Sequence, residues 1–363
     1  MTLVDDTLLL VRCESPSNDL AALAECAELV AGLGERLLGA APERIPIEGR
    51  THLRWRFPGD GPRVLVLGHY DTVWPIGSLD RHPATVEGNV LRGPGCVDMK
   101  AGLVLAMHAI VGLPDRAGVE LLVTADEEIG SPTSRALIEQ DAAGCAAALI
   151  LEAAADDRGA LKTARKGIAG YTVDVYGKAA HAGLHPELGV NASIELAHQI
   201  LAVAAIGDPE RGTTVTPTVV SGGTAANTVP ALARLVIDVR VPDAAEEKRV
   251  DAAMRALRPV LPGARLVVEG GINRPPMPPS ASAAPYRRAI VVAERLGQSA
   301  PAGVSVGGGS DGNFTAAVGV PTLDGLGAVG GGAHADDEHV LVDTMPGRVA
   351  LVAGLIADLR SEA

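Results

Sequence analysis

Acidic residues and histidines follow several apolar stretches of this chain, at points where each stretch ends abruptly. The apolar segment Val119–Thr124 leads almost directly into three consecutive carboxylates, Asp126, Glu127 and Glu128. A buried parallel strand has a near-continuous apolar sequence, and in open α/β sheets binding sites form beyond the carboxyl ends of such strands. Three adjacent anions repel one another, so either solvent or a cation must offset their charge. The triplet alone fits both an acidic solvated loop and a metal-binding loop.

The same arrangement recurs in four other loops, each placed after a predicted strand or before a predicted helix. The residues concerned are His69 with Asp71, then Asp98, Glu152 and His334. Taken singly, a histidine after a strand is often a structural residue with satisfied hydrogen bonds, and an aspartate before a helix is often its N-cap. Together they favour a shared site. Histidine and carboxylate ligands without cysteine are typical of a catalytic, zinc-type centre.

A charge count favours two metal ions over one. Two neutral imidazoles and three carboxylates supply about three negative charges, which two divalent ions and one hydroxide ion would neutralise. A single ion would leave the site anionic. The sixth group, one of the two paired glutamates, would then be available as a base.

Strands and helices alternate around these loops. This order predicts an α/β fold with a mixed, mostly parallel sheet and helices on both faces. The predicted strands are Arg63–Leu67, Val119–Thr124 and Ala146–Leu151, and the predicted helices include Ala101–Val111 and Ser134–Gln140.

The pattern changes after Lys162. Tyr171–Tyr176 alternates like a half-solvated strand, and the segments that follow give the order β-α-β-β-α-β of a ferredoxin-like α+β domain. The proline-rich stretch Arg274–Ser280 is interpreted as the return linker. We therefore predict a discontinuous catalytic domain over 1–165 and 279–363, with an inserted domain over 166–278.

Composition excludes several classes of protein. The 363 residues are 47% hydrophobic, and the net charge of −13 argues against a nucleic-acid partner. The N-terminus lacks the basic start of a signal peptide, and no apolar run reaches the length of a membrane span. Four cysteines without paired spacing favour a reduced, cytoplasmic setting.

Several motifs together resemble the M20 metallopeptidase family, in particular its glutamate carboxypeptidase branch, the carboxypeptidase G2 group. In chain order they are GHYDTVW, RGPGCVDMKAG, TADEEIGS, ILEAA, GKAAHAG, GGGSDGNF and GGGAHADDEHV. The resemblance covers nearly the whole chain, in the order of the family.

The resemblance implies a dinuclear zinc site, with Co²⁺ or Mn²⁺ able to substitute. Its ligands would be His69, Asp98, Glu128, Glu152 and His334, with Asp98 bridging the ions. Asp71 would orient His69, and Glu127 would act as the general base. The family also has a cis peptide bond after the bridging aspartate, which here is Asp98–Met99.

The resemblance also assigns roles in the inserted domain, which would be a lid and a homodimer interface. His181, otherwise a plausible surface-loop residue, would stabilise the oxyanion across the dimer. Asn227 and Arg240 would bind the substrate carboxylate, although a surface charge on a strand is the alternative for Arg240. The backbone of Gly308 and Gly309 would approach the substrate, and Lys166 is a further candidate cation.

The predicted substrate is an N-acyl or N-aminoacyl amino acid, or a short peptide, with a free α-carboxylate. The alternatives are an N-acyl-amino-acid deacylase of the acetylornithine deacetylase type and a non-catalytic metal-dependent binding protein. The chain has two Trp, four Tyr and two Phe, so few rings can stack on a folate-like group. Trp74 is the main aromatic candidate near the site.

Overall fold

The structure is a computed structural model that describes residues 2–361. The chain divides into a first unit, formed by 1–164, 277–306 and 310–363, and a second unit, formed by 165–276 and 307–309. Gly307–Gly309 groups with the second unit, although in the chain it lies between two segments of the first unit.

Helices and strands alternate in the first unit. The helices of the chain are α1 (Leu3–Val11), α2 (Leu20–Leu38), α3 (Ala101–Val111), α4 (Arg135–Ala142), α5 (Ala192–Ala204), α6 (Ala244–Arg255), α7 (Pro279–Arg295), α8 (Gly312–Ala317) and α9 (Met345–Arg360). The strands are β1 (Glu43–Ile47), β2 (Arg50–Phe57), β3 (Val64–His69), β4 (Thr85–Glu87), β5 (Val90–Arg92), β6 (Val119–Thr124), β7 (Ala147–Ile150), β8 (Leu161–Arg165), β9 (Gly167–Tyr176), β10 (Thr214–Gly222), β11 (Leu232–Val241), β12 (Arg265–Arg274), β13 (Gly303–Val306), β14 (Thr322–Leu323), β15 (Gly330–Gly331) and β16 (His339–Leu341). Across residues 2–361, no helix combines the length and apolar character that a membrane crossing requires.

The main sheet of the first unit has six strands in the order β1-β2-β6-β3-β7-β14. The pairs β3–β6, β3–β7 and β7–β14 are parallel, whereas β1–β2 and β2–β6 are antiparallel. The prediction of a mixed, mostly parallel sheet is confirmed. The carboxyl ends of β3, β6 and β7 meet at one edge, and this edge carries the candidate site.

Both faces of this sheet are covered, and strand β3 explains how. Val64 and Val66 pack in a core with residues of α2, α3 and α9, whereas Leu65 and Leu67 pack with residues of α4 and α8. Successive side chains of a strand point to opposite faces, so a fully apolar strand must be covered on both sides. The unbroken apolar sequence of β3 therefore reflects burial on both faces.

Two features of the first unit were not predicted. Helix α1 begins at the N-cap Thr2, whose side chain and that of Asp5 form a reciprocal capping box. A small sheet of order β15-β16-β5-β4 lies in segments for which the sequence predicts no strand. Its strands have two or three residues each, which is too short for a periodic sequence pattern to appear.

The second unit contains an antiparallel sheet of order β10-β11-β9-β12. Tyr171, Val173 and Val175 of β9 are buried in a core with residues of α5 and α6. The element order β9-α5-β10-β11-α6-β12 is the predicted β-α-β-β-α-β order. Strand β10 lies at the edge of the sheet, and most of its residues are exposed.

Candidate metal centre and active site

His69, the last residue of β3, is 1% exposed, and its two ring nitrogens face different groups. Nδ1 donates a hydrogen bond to the backbone carbonyl of Asp71 at 2.9 Å and lies 3.4 Å from the Asp71 carboxylate. Nε2 lies 3.4 Å from Asp98 and 3.6 Å from Glu152, and it has no hydrogen bond among the described residues. With Nδ1 held in this way, Nε2 is the nitrogen that can bind a metal ion.

Asp98 lies between the two histidines. Its Oδ1 is 3.4 Å from Nε2 of His69, and its Oδ2 is 3.3 Å from Nε2 of His334. Nε2 of His334 is also 3.1 Å from Oε2 of Glu128. The result is two groups of donors that share Asp98, one with His69 and Glu152 and the other with His334 and Glu128. The Asp98–Met99 peptide bond is cis, as the resemblance implied.

The spacing of these donors fits metal ions of the size of zinc. Ligand atoms about 2.1 Å from one tetrahedral ion lie about 3.4 Å from each other. The nitrogen–oxygen distances in the two groups run from 3.1 to 3.6 Å. The buried Nε2 of His69, which faces two carboxylates without a hydrogen bond, is also explained by a cation between them. The donor set therefore fits divalent metal ions.

The pKa values of the cluster indicate that its negative charge favours bound cations or protons. Hydrogen bonds to Asp98 and Glu128 raise the pKa of His334 to about 10. Burial lowers the pKa of His69, but Asp71, Asp98 and Glu152 together raise it well above its usual value. Burial raises the pKa of Asp98, yet the two neighbouring imidazoles of His334 and His69 lower it far below its ordinary range. The excess of carboxylates favours the protonated histidines, and a bound cation would offset the same negative charge.

The loop after β6 holds the paired glutamates close to this cluster. The Glu127 carboxylate lies within 4.8 Å of donor atoms of His69 and Glu152. Asp71, which is fully buried, accepts the backbone N–H groups of Glu127 and Glu128, both at 3.2 Å. Asp71 thus orients both His69 and the two glutamates.

Two further residues support Asp71 and this loop. Ser17 donates its hydroxyl to Asp71 Oδ2 at 2.7 Å. Asp126, which had no predicted role, accepts both the backbone N–H and the hydroxyl of Thr133 and of Ser134. A buried carboxylate with four donors fixes the backbone around it, so Asp126 anchors the loop.

A second residue without a predicted role, Glu338, supports the Asp98 loop. Its carboxylate accepts the backbone N–H groups of Gly95 at 2.9 Å, Val97 at 2.9 Å and Asp98 at 3.1 Å. It also accepts the indole N–H of Trp74 at 2.7 Å. Glu338 is 4% exposed. In the sequence, nothing distinguishes Glu338 from Asp336 and Asp337, the two exposed acidic residues that precede it.

The other predicted residues lie in the second unit. His181 is exposed, and its Nδ1 accepts the N–H groups of Gly183 and Leu184 at 3.1 Å each. In neutral His181 the proton therefore resides on Nε2, which can donate it to a ligand. Asn227 is exposed, and its backbone carbonyl accepts the N–H of Ala182 at 2.9 Å, so the two predicted segments are adjacent.

Arg240 forms a close ion pair that was not predicted. Its Nε and Nη2 each lie 2.9 Å from a carboxylate oxygen of Asp238, so that side of the guanidinium is engaged. The pairing is detectable in principle, because residues i and i+2 of a strand share a face.

The carbonyls of Gly308 and Gly309 accept Nη1 of Arg165 at 3.0 and 3.2 Å, and Lys166 Nζ donates to the carbonyl of Gly212.

Comparisons with known proteins identify the family. Residues 65–358 match the model of peptidase family M20/M25/M40. Carboxypeptidase G2 of Pseudomonas sp. (strain RS-16) is 34% identical over 313 residues, which cover 82% of this chain and 74% of that protein. The succinyl-diaminopimelate desuccinylase of Methylobacterium sp. (strain 4-46) is 30% identical over 271 residues, covering 68% of each.

A solved structure gives the same result for the fold. The M20 family metallo-carboxypeptidase Sso-CP2 from Sulfolobus solfataricus superimposes with a TM-score of 0.78 at 18% identity, covering 98% of both chains. The chain belongs to the M20 family, as its motifs predicted, and is an M20-type metallopeptidase. The family depends on metal and acts on small peptide or amino-acid substrates.

Proposed function

We propose that this protein is a dinuclear zinc hydrolase that cleaves the amide bond of an N-acyl or N-aminoacyl amino acid with a free α-carboxylate. The observation that carries the proposal is the position of Asp98, whose two carboxylate oxygens face two different histidines at 3.4 and 3.3 Å. A carboxylate shared in this way is suited to bridging two ions. His69 and Glu152 would complete one metal position, and His334 and Glu128 the other.

Two zinc ions would supply Lewis-acid polarisation of the scissile carbonyl and a water activated near neutral pH. Glu127 takes a proton from the attacking water and delivers it to the leaving amine. Its carboxylate is close to His69 and Glu152, which supports this role. Asp71 acts indirectly, because it holds the ring of His69 and the backbone of Glu127 in one geometry.

The second unit would bind the substrate and form a homodimer. His181 carries a proton on Nε2 that can stabilise the oxyanion, and the family resemblance implies that it acts on the partner's site. Asn227 and Arg240 bind the α-carboxylate, with Arg240 using the N–H groups that Asp238 leaves available. Lys166 and the backbone of Gly308 and Gly309 complete this set.

Exposed apolar side chains support the dimer. Ile194 and Leu201 of α5 are 51% and 72% exposed, and Val219 and Val220 of the edge strand β10 are 57% and 56% exposed. Ile194 and Leu201 are seven residues apart, so they lie on one face of the helix. An exposed strand edge beside an apolar helix is a suitable surface for a second copy.

The resemblance of the motifs to the glutamate carboxypeptidase branch favours glutamate as the released amino acid. A second candidate is a deacylase of N-acyl amino acids, since the succinyl-diaminopimelate desuccinylase is 30% identical. The two candidates differ in the acyl side of the substrate and use the same metal centre.

Metal analysis combined with a substrate panel tests the proposal. We expect two zinc ions per chain in active protein, loss of activity with a chelator, and recovery when zinc, cobalt or manganese is returned. The panel contains N-acyl amino acids and dipeptides with a free carboxylate, and the same compounds with that carboxylate amidated as controls. Fewer than two ions in fully active protein would contradict the dinuclear site. Turnover of none of the compounds would favour a metal-dependent binding protein.

A further inference from the structure

Asp311, in the motif GGGSDGNF, is a buried carboxylate that does not cap the helix it precedes. It is 3% exposed and occupies the N-cap position of α8. An aspartate at this position usually accepts a backbone N–H of the first helical turn. The side chain of Asp311 makes no such bond, and the hydroxyl of Ser310 accepts the N–H of Gly312 at 3.1 Å instead. The carboxylate of Asp311 is therefore directed away from its own helix.

The two oxygens of this carboxylate hold the two ends of the loop that carries the paired glutamates. Oδ2 accepts the hydroxyl of Thr124, the last residue of β6, at 3.2 Å. Oδ1 accepts the hydroxyl of Ser131 at 2.5 Å. Both hydroxyl-bearing residues are fully buried, so solvent does not compete for these bonds. Asp311 thus connects the residues on either side of Glu127 and Glu128.

The backbone of Ser131 has a conformation that depends on such support. Its φ is +57°, in the left-handed region that disfavours a residue with a side chain. A conformation of this kind persists where the surrounding contacts determine it. Here the hydroxyl of Ser131 donates to Asp311, and its N–H donates to the carbonyl of Asp126 at 2.8 Å. Loss of the Asp311 carboxylate would therefore weaken the turn that ends the glutamate loop.

The helix that follows Asp311 packs against the helix that follows the loop. The guanidinium of Arg135, the first residue of α4, lies 5.0 Å from the ring centroid of Phe314 in α8. Phe314 is fully buried, which favours this cation–π contact. The N–H of Arg135 also donates to the carbonyl of Ser131 at 3.1 Å. Asp311 therefore lies on an element whose position relative to the loop is fixed by packing.

We propose that Asp311 is a positioning residue of the reaction, which holds the carboxylate of Glu127 in place by fixing both ends of its loop. Asp71 fixes the middle of the same loop, because it accepts the N–H groups of Glu127 and Glu128. A general base must lie within hydrogen-bond reach of the proton it takes, so a small displacement of the loop lowers kcat. The role in the reaction rests on the proposed function of Glu127, whereas the effect on the loop does not.

Kinetics of Asp311→Asn in metal-loaded protein test the role in the reaction. Asparagine has nearly the shape of aspartate, but it loses the charge and one acceptor, which weakens both hydroxyl bonds. We expect kcat to fall about 10–100-fold while KM stays within about twofold, because the base acts after the substrate is bound. Ser131→Ala removes one of the two bonds from the other side and should also lower kcat. The double variant should be about as slow as Asp311→Asn alone, since both changes act on one contact.

Hydrogen–deuterium exchange of segment 124–134 tests the effect on the loop without a substrate. We expect its amides to exchange at least about tenfold faster in Asp311→Asn and Ser131→Ala than in wild type. The matched control is Asp6→Asn, at a buried carboxylate of α1 that pairs with Arg36 and His108 at 2.5 and 2.8 Å. This variant should lower the melting temperature and leave both kcat and the exchange of the segment unchanged.

Wild-type kcat in Asp311→Asn would overturn the proposed role, and so would an equal loss of kcat in Asp6→Asn. Wild-type exchange in both loop variants would overturn the effect on the loop. If Asp311→Asn does not fold, Ser131→Ala decides the question by the same two measurements. Faster exchange in a protein that hydrolyses none of the tested substrates would support the hold of Asp311 on the loop and overturn the proposed hydrolysis.

Discussion

The carboxylate of Glu338 accepts the backbone N–H of Asp98 at 3.1 Å, although 240 residues separate the two in the chain. Glu338 is four positions after His334, so one side chain connects the loops of two proposed metal ligands. The carboxylate of Glu338 holds the Asp98 loop through hydrogen bonds that it accepts from backbone N–H groups. Hydrogen bonds to a carboxylate are stronger than those between neutral groups. The distance between Asp98 and His334 is therefore fixed in part by Glu338.

Glu338→Gln should weaken metal binding and lower kcat/KM by about 10–100-fold, the usual effect of removing a group that orients ligands. A glutamine amide replaces one acceptor oxygen with an NH₂ donor, which then faces N–H groups that need an acceptor. Metal content at defined free zinc and the kinetic constants measure the effect. Glu35→Gln, on the exposed face of α2, is the control. A variant with wild-type metal affinity and activity would contradict this role.

Glu127→Gln should keep the fold and both metal ions but lower kcat by about 10²–10⁴-fold, because a positioned base contributes that much. The amide has nearly the same shape and cannot accept the proton. Metal analysis, the melting temperature and kcat are measured on the same preparation. Glu25→Gln, at an exposed site of α2, should behave like wild type. Loss of metal along with activity would instead make Glu127 a ligand.

The raised pKa of Glu120, which is not a residue of the metal centre, predicts that the free energy of unfolding depends on pH. Burial and the charge of Asp141 raise the pKa of Glu120 to about 7, against the opposing effect of Arg56 at 3.1 Å. Because the folded pKa exceeds the unfolded value of 4.5, the protonated group stabilises the fold below about pH 4.5, and this contribution is lost as the pH rises through 7.

Glu120→Gln should therefore gain up to about 3 kcal/mol over wild type at pH 8 and much less at pH 4.5. The free energy of unfolding from urea titrations across this range gives the comparison. Glu294→Gln, at an exposed position of α7, should shift nothing. Parallel curves for wild type and Glu120→Gln would refute the raised pKa.

Leu201→Glu should weaken the proposed dimer at least about a hundredfold. Leu201 is 72% exposed, and burying a leucine side chain contributes about 2 kcal/mol in each copy, which a glutamate would replace with a desolvation cost. Light scattering after size exclusion, over a range of protein concentrations, measures the association. Leu296→Glu, at a 43% exposed leucine outside the second unit, is the matched control. If both variants have the mass of wild type, α5 is not at the interface.

The sequence predicts the candidate site better than it predicts the residues that support it. His69 and Glu152 follow unbroken apolar strands, and that relation to the sheet edge is visible in the order of residues. The roles of Asp126 and Glu338 depend on which N–H groups come within reach after folding, and no pattern in the sequence distinguishes either residue from the acidic residues beside it. Supporting contacts of this kind are set by loop conformation, which has no periodic pattern.

The same reasoning explains the differences in the fold. Long elements such as β6 and α3 were predicted within a residue or two, because burial imposes a pattern over several turns or pleats. The small sheet around β5 was missed because its strands are too short for such a pattern. For Arg240, the family motif indicated a carboxylate partner, and in the structure the carboxylate of Asp238 already occupies part of its guanidinium.

The pairing of β14 with β7 has a consequence for synthesis on the ribosome. Thr322 pairs with Ala148, so the main sheet receives its last strand only after the whole segment 165–276 has been made. Most of the second unit is continuous in the chain and can fold before the first is finished, since domains fold as they emerge. Until Thr322 emerges, the apolar β7 is an unprotected edge strand. Nascent chains stalled before that point should be the form of this protein most prone to aggregate.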